Sequence, residues 1–464
     1  MAFAILLIGA SCSDDDNTPS YSTGVVQNTE LKTILVQRGY TFNEDGNLLL
    51  DDLAKNTTTL DLSGTQISTD ALAELSMFPN LTDVDLSDNG YGPAFDFAKL
   101  PEQITGVDLT GNEIYDYDNL INVEIAENGD ETISNLHTIT KLYMPEVAKY
   151  NTTQLPRFYR QNKDAIMNGI MDVQMLNEQN SLQTYNTLRT IPNVALNDYF
   201  KDKFSSIFDG EQIDLSKRLN NTEKINNINI AKRFVDDIDA FTDFEGLQYI
   251  VENPYWEGTA VQISLNKEQE LPKLNIGSTV TQLSLTKVRL SQGIELSGIK
   301  DLYQIILSEV SGLESLDLTA SPIFGQRDAE TEDGMMLGSY LSVIDCPDMK
   351  TIKFPEVNEL RAFTIDIEYL PNLEALDLSK FTFIALLSIG DLGDNCNLEY
   401  PTDFSETTTA YPTKHFACST KTYALDNTKA FIDKYYTNAT NKIIRRGTLS
   451  CSKNENVYWD LVNE

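Results

Sequence analysis

Few residues in this chain of 464 residues have the types and spacing that catalysis needs. It contains two histidines, His137 and His415, and it lacks the HExxH, GxSxG and Walker phosphate-loop patterns. Carboxylates are so abundant that a pair of them carries no information about acid–base chemistry. We therefore predict a binding protein and not an enzyme.

The stretch GYTFNEDGNLLLDD spaces its oxygen-bearing side chains as a calcium loop of the EF-hand type does. The matching positions are Thr41, Asn43, Asp45, Gly46, Asn47 and Asp52. Thr41 replaces the usual aspartate and Asp52 the longer glutamate, which weakens two ligands. We predict a vestigial turn, with Ca²⁺ bound by Asn43, Asp45, Asn47 and Asp52 as the alternative; no other cofactor is indicated.

The aspartates of a repeated phrase are a second candidate binding group. The phrase reads TLDLSGTQI at Thr59–Ile67, LTDVDLSDN at Leu81–Asn89 and ITGVDLTGN at Ile104–Asn112. If the copies stack in register, aspartates line one wall and repel one another unless a cation or a basic ligand neutralises them. The members are Asp61, Asp83, Asp85 and Asp108, with Asp317 and Asp377 equivalent later in the chain. A solvated wall without a ligand is the alternative.

Three tyrosines, Tyr91, Tyr115 and Tyr117, follow the turns of the same phrase. Exposed there, they could stack on sugar rings or on side chains of a partner. Loop tyrosines without such a role are the alternative.

The phrase also defines the element that positions these side chains. Leu62, Leu86 and Leu109 are 24 and 23 residues apart. Val84 and Leu86 alternate with aspartates, which predicts a short strand with one buried face. Asn89 and Asn112 suit the following turn, where an amide can satisfy buried backbone groups. One copy cannot bury its apolar face alone, so we predict stacked coils.

The phrase resembles the leucine-rich repeat, LxxLxLxxN. The resemblance implies an α/β fold, a leucine-rich-repeat solenoid in the form of a β-rich horseshoe. It also implies a protein that works by presenting a surface to a ligand.

A second block carries the same strand pattern. The copies are VTQLSL at Val280–Leu285, LESLDL at Leu313–Leu318 and LEALDL at Leu373–Leu378. Leucines at 285, 296, 307 and 318 recur every 11 residues, half a coil. We therefore predict a strand on each of two walls of the coil, with a loop from Ser321 to Tyr340.

Residues 151–246 interrupt the repeats, and their apolar spacing predicts an α-helical insertion. Leu196, Phe200, Phe204 and Ile207 share one helical face, and Ile230, Phe234, Ile238 and Phe241 share another. Met167, Met171 and Met175 form a methionine stripe. We predict a core face, with an adaptable docking surface as the alternative.

The N-terminus predicts export. An apolar run, Ala2–Ala10, is too short to span a bilayer and is typical of a signal peptide, although no Lys or Arg precedes it. Gly9-Ala10-Ser11-Cys12 resembles a bacterial lipobox, which implies lipidation (palmitate) of Cys12. The SDDD tract after it resembles the surface-export signal of Bacteroidetes lipoproteins, so the resemblance implies a lipid-anchored protein at the cell surface and outer membrane.

Four further cysteines, Cys346, Cys396, Cys418 and Cys451, lie in the C-terminal part. None has the spacing of a zinc or redox motif. In an exported protein they form up to two disulfides or remain buried thiols.

These patterns divide the chain into six segments. They are a signal and tether (1–24), an N-terminal cap (25–57), the first repeats (58–150), the insertion (151–246), the second repeats (247–400) and a C-terminal cap (401–464).

The net charge of the chain excludes some classes of binding partner. With 70 acidic and 35 basic residues, the net charge is −35, which argues against nucleic acid and against attraction to anionic lipid. We predict a lipid-anchored surface protein that recognises a protein partner. A glycan-capture lipoprotein of a carbohydrate uptake system and a structural envelope protein are the alternatives.

Overall fold

The computed structural model describes residues 21–127, 130–296, 298–319, 321, 324–325, 338–357, 359–401, 413–437, 443–450 and 455–462. It is a mixed α/β fold, rich in strands, with few helices and with parallel sheets. The chain divides into two compact units, Met1–Asn186 and Thr187–Glu464. The predicted α/β class is thus confirmed.

The first unit alternates short strands with helical turns. Its strands are β1 (Thr23–Gly24), β2 (Leu48–Leu49), β3 (Thr59–Asp61), β4 (Asp83–Asp85), β5 (Ala94–Asp96), β6 (Gly106–Asp108), β7 (Asp116–Asp118), β8 (Ile121–Ile125), β9 (Glu131–Asn135), β10 (Lys141–Met144), β11 (Asp172–Leu176) and β12 (Leu182–Thr184). Its α-helices are α1 (Thr29–Gln37), α2 (Asp52–Asn56) and α3 (Gln154–Met167), and 3₁₀ helices span Thr69–Met77, Phe97–Lys99 and Glu146–Tyr150.

Six of these strands form one sheet in the order β12-β11-β10-β6-β4-β3, with all but β12 parallel. One inward residue per parallel strand forms a ladder exposed by 2% or less: Leu60, Val84, Val107, Leu142 and Val173. Burying each such side chain contributes about 1.5–3 kcal/mol. The predicted strands of the repeated phrase are therefore confirmed.

The asparagines of the phrase close the turns, as predicted. Asn112 Nδ2 donates to the backbone carbonyls of Leu86 (3.0 Å) and Leu109 (2.9 Å). Its Oδ1 accepts from the backbone N–H groups of Asn89 and Tyr91, both at 3.0 Å. Asn112 is 3% exposed, so one buried amide satisfies four backbone groups that the turn leaves without partners.

The second unit carries longer strands. They are β13 (Leu188–Arg189), β14 (Phe208–Asp209), β15 (Gln212–Asp214), β16 (Ile228–Ala231), β17 (Ala260–Glu270), β18 (Leu274–Asn275), β19 (Gln282–Arg289), β20 (Ile294–Glu295), β21 (Gln304–Ser308), β22 (Ser315–Asp317), β23 (Ser339–Ile344), β24 (Thr351–Lys353), β25 (Leu360–Leu370), β26 (Ala375–Asp377), β27 (Phe381–Leu392), β28 (Asn397–Glu399), β29 (Thr413–Ser419), β30 (Ile443–Ser450) and β31 (Glu455–Val462). The α-helices are α4 (Val194–Lys203), α5 (Gln248–Val251), α6 (Thr420–Tyr423) and α7 (Asp426–Ile432). 3₁₀ helices span Ser205–Ile207 and Ile238–Ala240, and a π-helix spans Asp433–Thr437.

A ten-stranded sheet dominates this unit, in the order β16-β17-β19-β21-β23-β25-β27-β29-β31-β30. Neighbours are parallel from β16 to β29, and β31 and β30 pair antiparallel at the end. Two smaller sheets, β18-β20 and β22-β24-β26-β28, consist of strands that lie along the chain between successive strands of the ten-stranded sheet. From β17 to β29, strands thus alternate along the chain between the ten-stranded sheet and one of the smaller sheets.

The 11-residue recurrence follows this alternation. Leu285 and Leu307 pair in the ten-stranded sheet, whereas Leu296 follows β20 and Leu318 follows β22. Successive strands therefore alternate between the ten-stranded sheet and the smaller sheets, as the 11-residue spacing predicts. The expected equivalence of the three phrases is wrong, because VTQLSL contributes to the ten-stranded sheet and LESLDL and LEALDL to the four-stranded one. Alternating apolar residues are common to both walls, so a six-residue phrase does not distinguish them.

The predicted helical insertion is wrong over much of 151–246. Helices α3 and α4 are present and Leu196 and Phe200 are buried in α4, but the segment also contains β11 to β16. Met167 ends α3, whereas Met171 and Met175 are inward residues next to and within β11, each 8% exposed. Residues four apart fit both a helix and a strand, since four is close to one helical turn and is two strand repeats. The two buried methionines belong to the core, and the predicted boundary after residue 150 lies inside the first unit.

Candidate functional site

The predicted aspartate wall is present in the first unit. Asp61 pairs with Asp85, and Asp85 with Asp108, in the register of β3, β4 and β6. We call the outward side chains of these strands, with those of β10 and β11, the acidic face; its carboxylates are Asp61, Asp83, Asp85, Asp108 and Asp172.

Each aspartate of the register column caps its own turn. Asp85 Oδ1 accepts from the backbone N–H of Ser87 at 3.0 Å and from its hydroxyl at 2.7 Å. Asp61 and Asp108 make the same pair of bonds with the Ser or Thr two residues later. The bonds from Ser63 hold the pKa of Asp61 below its usual range. The Asp-x-Ser/Thr pattern thus has a structural cause before any ligand is considered.

A tyrosine and a lysine lie among the carboxylates of the acidic face. Tyr143 donates to Asp172 at 2.6 Å, and this bond, burial and the charges of Asp172, Asp108 and Asp83 raise the tyrosine pKa to about 12. Lys141 places Nζ 4.7 Å from the centroid of the Tyr143 ring. The face is therefore an acidic surface that already contains cationic and hydroxyl partners.

Asp317 and Asp377 lie on the four-stranded sheet of the second unit. Each accepts from the backbone N–H two residues later, and Asp317 also faces Lys353 at 3.6 Å. Hydrogen bonds from Thr319, then this lysine, lower the pKa of Asp317. Asp317 and Asp377 thus cap their turns as the aspartates of the first unit do, but they belong to a different sheet.

The three predicted tyrosines do not form an exposed platform. Tyr117 is 1% exposed and its hydroxyl donates to the Ile114 carbonyl. Tyr91 is half-buried and donates to the Ile67 carbonyl at 2.6 Å, and Tyr115 is also half-buried. The expectation of exposed stacking rings is therefore wrong for Tyr117, because its ring fills the core beside the turn.

The EF-hand-like stretch forms a tight turn. Asn43 Oδ1 accepts from the Asn47 N–H at 2.8 Å, and the Asn43 N–H donates to the Asn47 carbonyl at 2.9 Å. Lys32 Nζ donates to the Gly46 carbonyl at 2.9 Å, and Asp52 begins α2. The side-chain oxygen of Asn43, one of the predicted Ca²⁺ ligands, is thus directed to a backbone donor of its own turn. Within the described ranges no group of three His, Cys, Asp or Glu is arranged to hold a metal.

Three of the C-terminal cysteines are free thiols: Cys346, Cys396 and Cys418. Burial raises the pKa of Cys346 and Cys418 to about 12 and that of Cys396 to about 11. Of the two predicted alternatives, the structure has the free thiols at these positions. Cys12 and Cys451 lie outside the described residues.

The second unit contains a surface that the sequence did not single out. One side of the ten-stranded sheet packs on the core, and the outward side chains of β17, β19 and β21 remain partly exposed. We call this the polar face; across its strands it presents Gln262, Gln282, Ser284, Gln304, Ile306, Tyr340, Asp366 and Leu386. Parallel sheets are ordinarily covered on both sides, so an accessible face on one is unusual.

A cavity of about 260 Å³ opens on the polar face, over β16, β17, β19 and β21. Amide side chains dominate its lining, with Asn229, Gln262, Gln282 and Gln304 among them. Arg233 Nη2 donates to Gln262 Oε1 at 2.8 Å, and Gln282 Nε2 donates to the Tyr303 hydroxyl at 2.9 Å. Such amides can donate and accept at once, which suits a peptide backbone or a polyol.

Asp366 lies on the same face two strands further along, on β25. Burial, then the charge of Glu368, raises its pKa to about 6, while the hydroxyls of Ser388 and Ser342 oppose the shift. Its Oδ1 is buried and accepts no hydrogen bond. The signal in the sequence was a pair of acidic residues, Asp366 and Glu368, inside the alternating run TIDIE. The residues beside them on neighbouring strands could not be predicted, because a long connection separates β21 from β23.

The two histidines have different surroundings, and His415 lies in register with Leu386 of the polar face. His137 is buried, with Nε2 2.8 Å from the Ile104 carbonyl, and His415 stacks on Tyr458 with ring centroids 5.9 Å apart.

Comparison with known proteins gives no relative: no family model, no curated protein and no solved structure matches the chain. Among the described residues, no helix has the length and apolar character to cross a bilayer.

Proposed function

We propose that this chain is a leucine-rich-repeat surface lipoprotein that recognises a protein partner through the polar face of its ten-stranded sheet. The observation that carries the proposal is the accessibility of that face on a mainly parallel sheet. Extended accessible sheets are the binding surfaces that repeat proteins use.

The repeat geometry supports the solenoid. In the first unit the register partners Leu60, Val84 and Val107 come 24 and 23 residues apart. In the second, Leu285 and Leu307 come 22 apart, as do Ile367 and Ile389. A near-constant step between parallel strands is what stacked coils require. The longer step between β21 and β23 contains the predicted loop, most of which lies outside the described residues.

A protein partner is favoured over a glycan by the composition of the polar face. Its central strands present Tyr340, Leu386 and Ile306 around the carboxylates of Asp366 and Glu368, the mixed aromatic, aliphatic and charged make-up of protein interfaces. Glycan capture is the second candidate, because the amide-lined cavity lies beside Arg233, which stacks on the half-exposed Phe234 ring at 4.5 Å.

The experiment that separates these functions uses the full-length chain with Cys12→Ala, immobilised and offered both an array of glycans and a set of candidate extracellular proteins. Our proposal expects protein ligands at micromolar or tighter affinity and no glycan signal above that of an unrelated acidic protein. Binding to glycans alone would overturn it in favour of carbohydrate capture.

The lipid anchor is proposed on Cys12 and is tested separately. Metabolic labelling with a palmitate analogue should label the wild-type chain, and Cys12→Ala should abolish the label and release the protein from membranes. Retention of Cys12→Ala in the membrane fraction would contradict the anchor and leave the recognition proposal standing.

A further inference from the structure

An arginine at the amide-lined cavity of the polar face has no acidic partner. Arg233 is exposed and lines the cavity, and its one hydrogen bond within the described part of the chain runs from Nη2 to Gln262 Oε1 at 2.8 Å. Its guanidinium also lies 4.5 Å from the centroid of the Phe234 ring. The charge of Arg233 is thus not neutralised by an ion pair, although the chain has 70 acidic and 35 basic residues.

Two amides beside Arg233 add further donors to the cavity lining. Asn227 Oδ1 accepts from the backbone N–H groups of Thr259 at 2.8 Å and Ala260 at 3.0 Å. Gln262 Oε1 accepts from Arg233. Because backbone and guanidinium N–H groups only donate, these bonds fix the orientation of both amides. Asn227 Nδ2 and Gln262 Nε2 are therefore the ends that have no partner among the described residues.

The remaining polar side chains of the lining are neutral. They are Asn229, Gln282, Ser284 and Gln304, and no Asp or Glu lines the cavity in the described ranges. An anion in the cavity would therefore meet a positive charge and N–H donors without a like charge in the lining. A metal ion or a lysine would be repelled by Arg233, and a neutral sugar would leave its charge unpaired.

The volume of the cavity limits the size of this anion. About 260 Å³ is less than the roughly 300–1,000 Å³ of sites that enclose drug-sized ligands. The cavity can hold the end of one side chain, whereas an oligosaccharide would lie mostly outside it. Ala260 and Ile306 also line the cavity and offer apolar contacts to methylene groups. A glutamate side chain has both the methylene groups and the carboxylate.

We propose that this cavity receives the carboxylate of a glutamate side chain on the protein partner. The inference rests on the proposed function for the protein that carries the glutamate. Arg233 supplies the positive charge and guanidinium donors, and the side-chain nitrogens of Asn227 and Gln262 supply further donors. Ile306 contacts the methylene groups. Arg233 thereby gains the acidic partner that the described part of its own chain does not provide.

The test compares two blocked tripeptides, acetyl-Gly-Glu-Gly-amide and acetyl-Gly-Gln-Gly-amide, which differ in the carboxylate alone. Their dissociation constants for the full-length chain with Cys12→Ala are measured by saturation-transfer NMR. We expect the glutamate peptide to bind at least about tenfold more tightly than the glutamine peptide at low salt. The preference should decrease at high salt, because the interaction involves an exposed charge.

Three variants locate the preference in the cavity. Arg233→Gln should remove it. Lys232→Gln, the same loss of charge at an exposed neighbour that does not line the cavity, should retain it. Gln304→Glu adds a carboxylate to the lining and should weaken binding of the glutamate peptide to below that of the glutamine peptide. Circular dichroism checks that each variant is folded.

Equal binding of the two peptides, or an unchanged preference in Arg233→Gln, would overturn the inference. Tighter binding of methyl glucuronoside than of the glutamate peptide would overturn the protein source and assign the cavity to an acidic glycan. A glutamate preference in a chain that captures no protein would leave this site standing and contradict the proposed function. Protein capture through the polar face without a glutamate preference would do the reverse.

Discussion

Asn112 Oδ1 accepts the backbone N–H of Asn89 at 3.0 Å, so the turn asparagine of one repeat is fixed to the turn asparagine of the preceding one. Because Asn112 satisfies three further buried backbone groups, Asn112→Ala leaves them without partners. We expect a loss of about 3 kcal/mol in unfolding free energy, read as faster hydrogen exchange in peptides covering 83–112. Asn80→Ala removes one exposed bond and is the control; equal exchange in both variants would contradict the role.

Two substitutions at Asp85 distinguish the hydrogen bonds that the aspartate makes in its turn from the effect of its negative charge. Asp85→Ala removes the acceptor of two Ser87 bonds and should cost about 1 kcal/mol. Asp85→Asn retains an acceptor and relieves repulsion from Asp61 and Asp108, so it should be neutral or slightly stabilising at low salt, with the gain lost at high salt. Equal destabilisation by both variants in thermal denaturation followed by circular dichroism would show that the charge itself is needed.

Glu131 is the most deeply buried carboxylate of the described ion pairs. Its side chain is 3% exposed and bonds to Arg157 at 2.8 Å and Arg160 at 2.5 Å, joining β9 to α3. Glu131→Gln leaves two guanidinium groups without their charge partner, so we expect a loss of about 3 kcal/mol. Exchange protection of α3 should fall accordingly, whereas the exposed Glu102→Gln should change it by less than about 0.5 kcal/mol. Unaltered protection in Glu131→Gln would refute the assignment.

The buried thiols should resist alkylation. Burial raises the pKa of Cys346 and Cys418 to about 12, so little thiolate is present at pH 8. Mass spectrometry after iodoacetamide treatment should find both unmodified in the native protein and modified in urea. A disulfide at either residue, or full labelling without denaturant, would contradict the structure.

Asp366 makes stability depend on pH. Its pKa is 3.8 when unperturbed and about 6 in the fold, so between these values the folded chain holds a proton that the unfolded chain has released. Stability therefore falls as the pH rises from about 4 to 6 and stays lower above that range. The facing ionisable groups are Glu368 on the same strand and Tyr340 on β23, while β27 offers Leu386, Ser388 and Gly390.

Asp366→Asn should remove this fall and stabilise the second unit at pH 7 by on the order of 2–3 kcal/mol. Tryptophan fluorescence during urea unfolding reports this unit, because both tryptophans, Trp256 and Trp459, lie in it. A variant that is less stable than wild type at pH 7 would contradict the raised pKa.

The spacing of residues in the sequence predicted those features of the fold that depend on a short stretch of chain. The register of Asp61, Asp85 and Asp108 follows from a repeated phrase, and the two walls follow from leucines 11 residues apart. Met171 and Met175 were misassigned because a four-residue spacing fits both a helix and a strand. The residues beside Asp366 come from other strands, and the connections between these strands differ in length. The composition of the polar face therefore could not be predicted from the sequence of one strand.

The central claim is that the polar face binds the partner, and one comparison of affinities tests it. Ile306 lies on that face and lines its cavity, whereas Val194 is 72% exposed on α4. For a protein ligand captured by the full-length chain, Ile306→Arg should weaken binding at least about tenfold in surface plasmon resonance, and Val194→Arg should leave it within about twofold. Equal affinity of wild type and Ile306→Arg, with both folded by circular dichroism, would contradict the account.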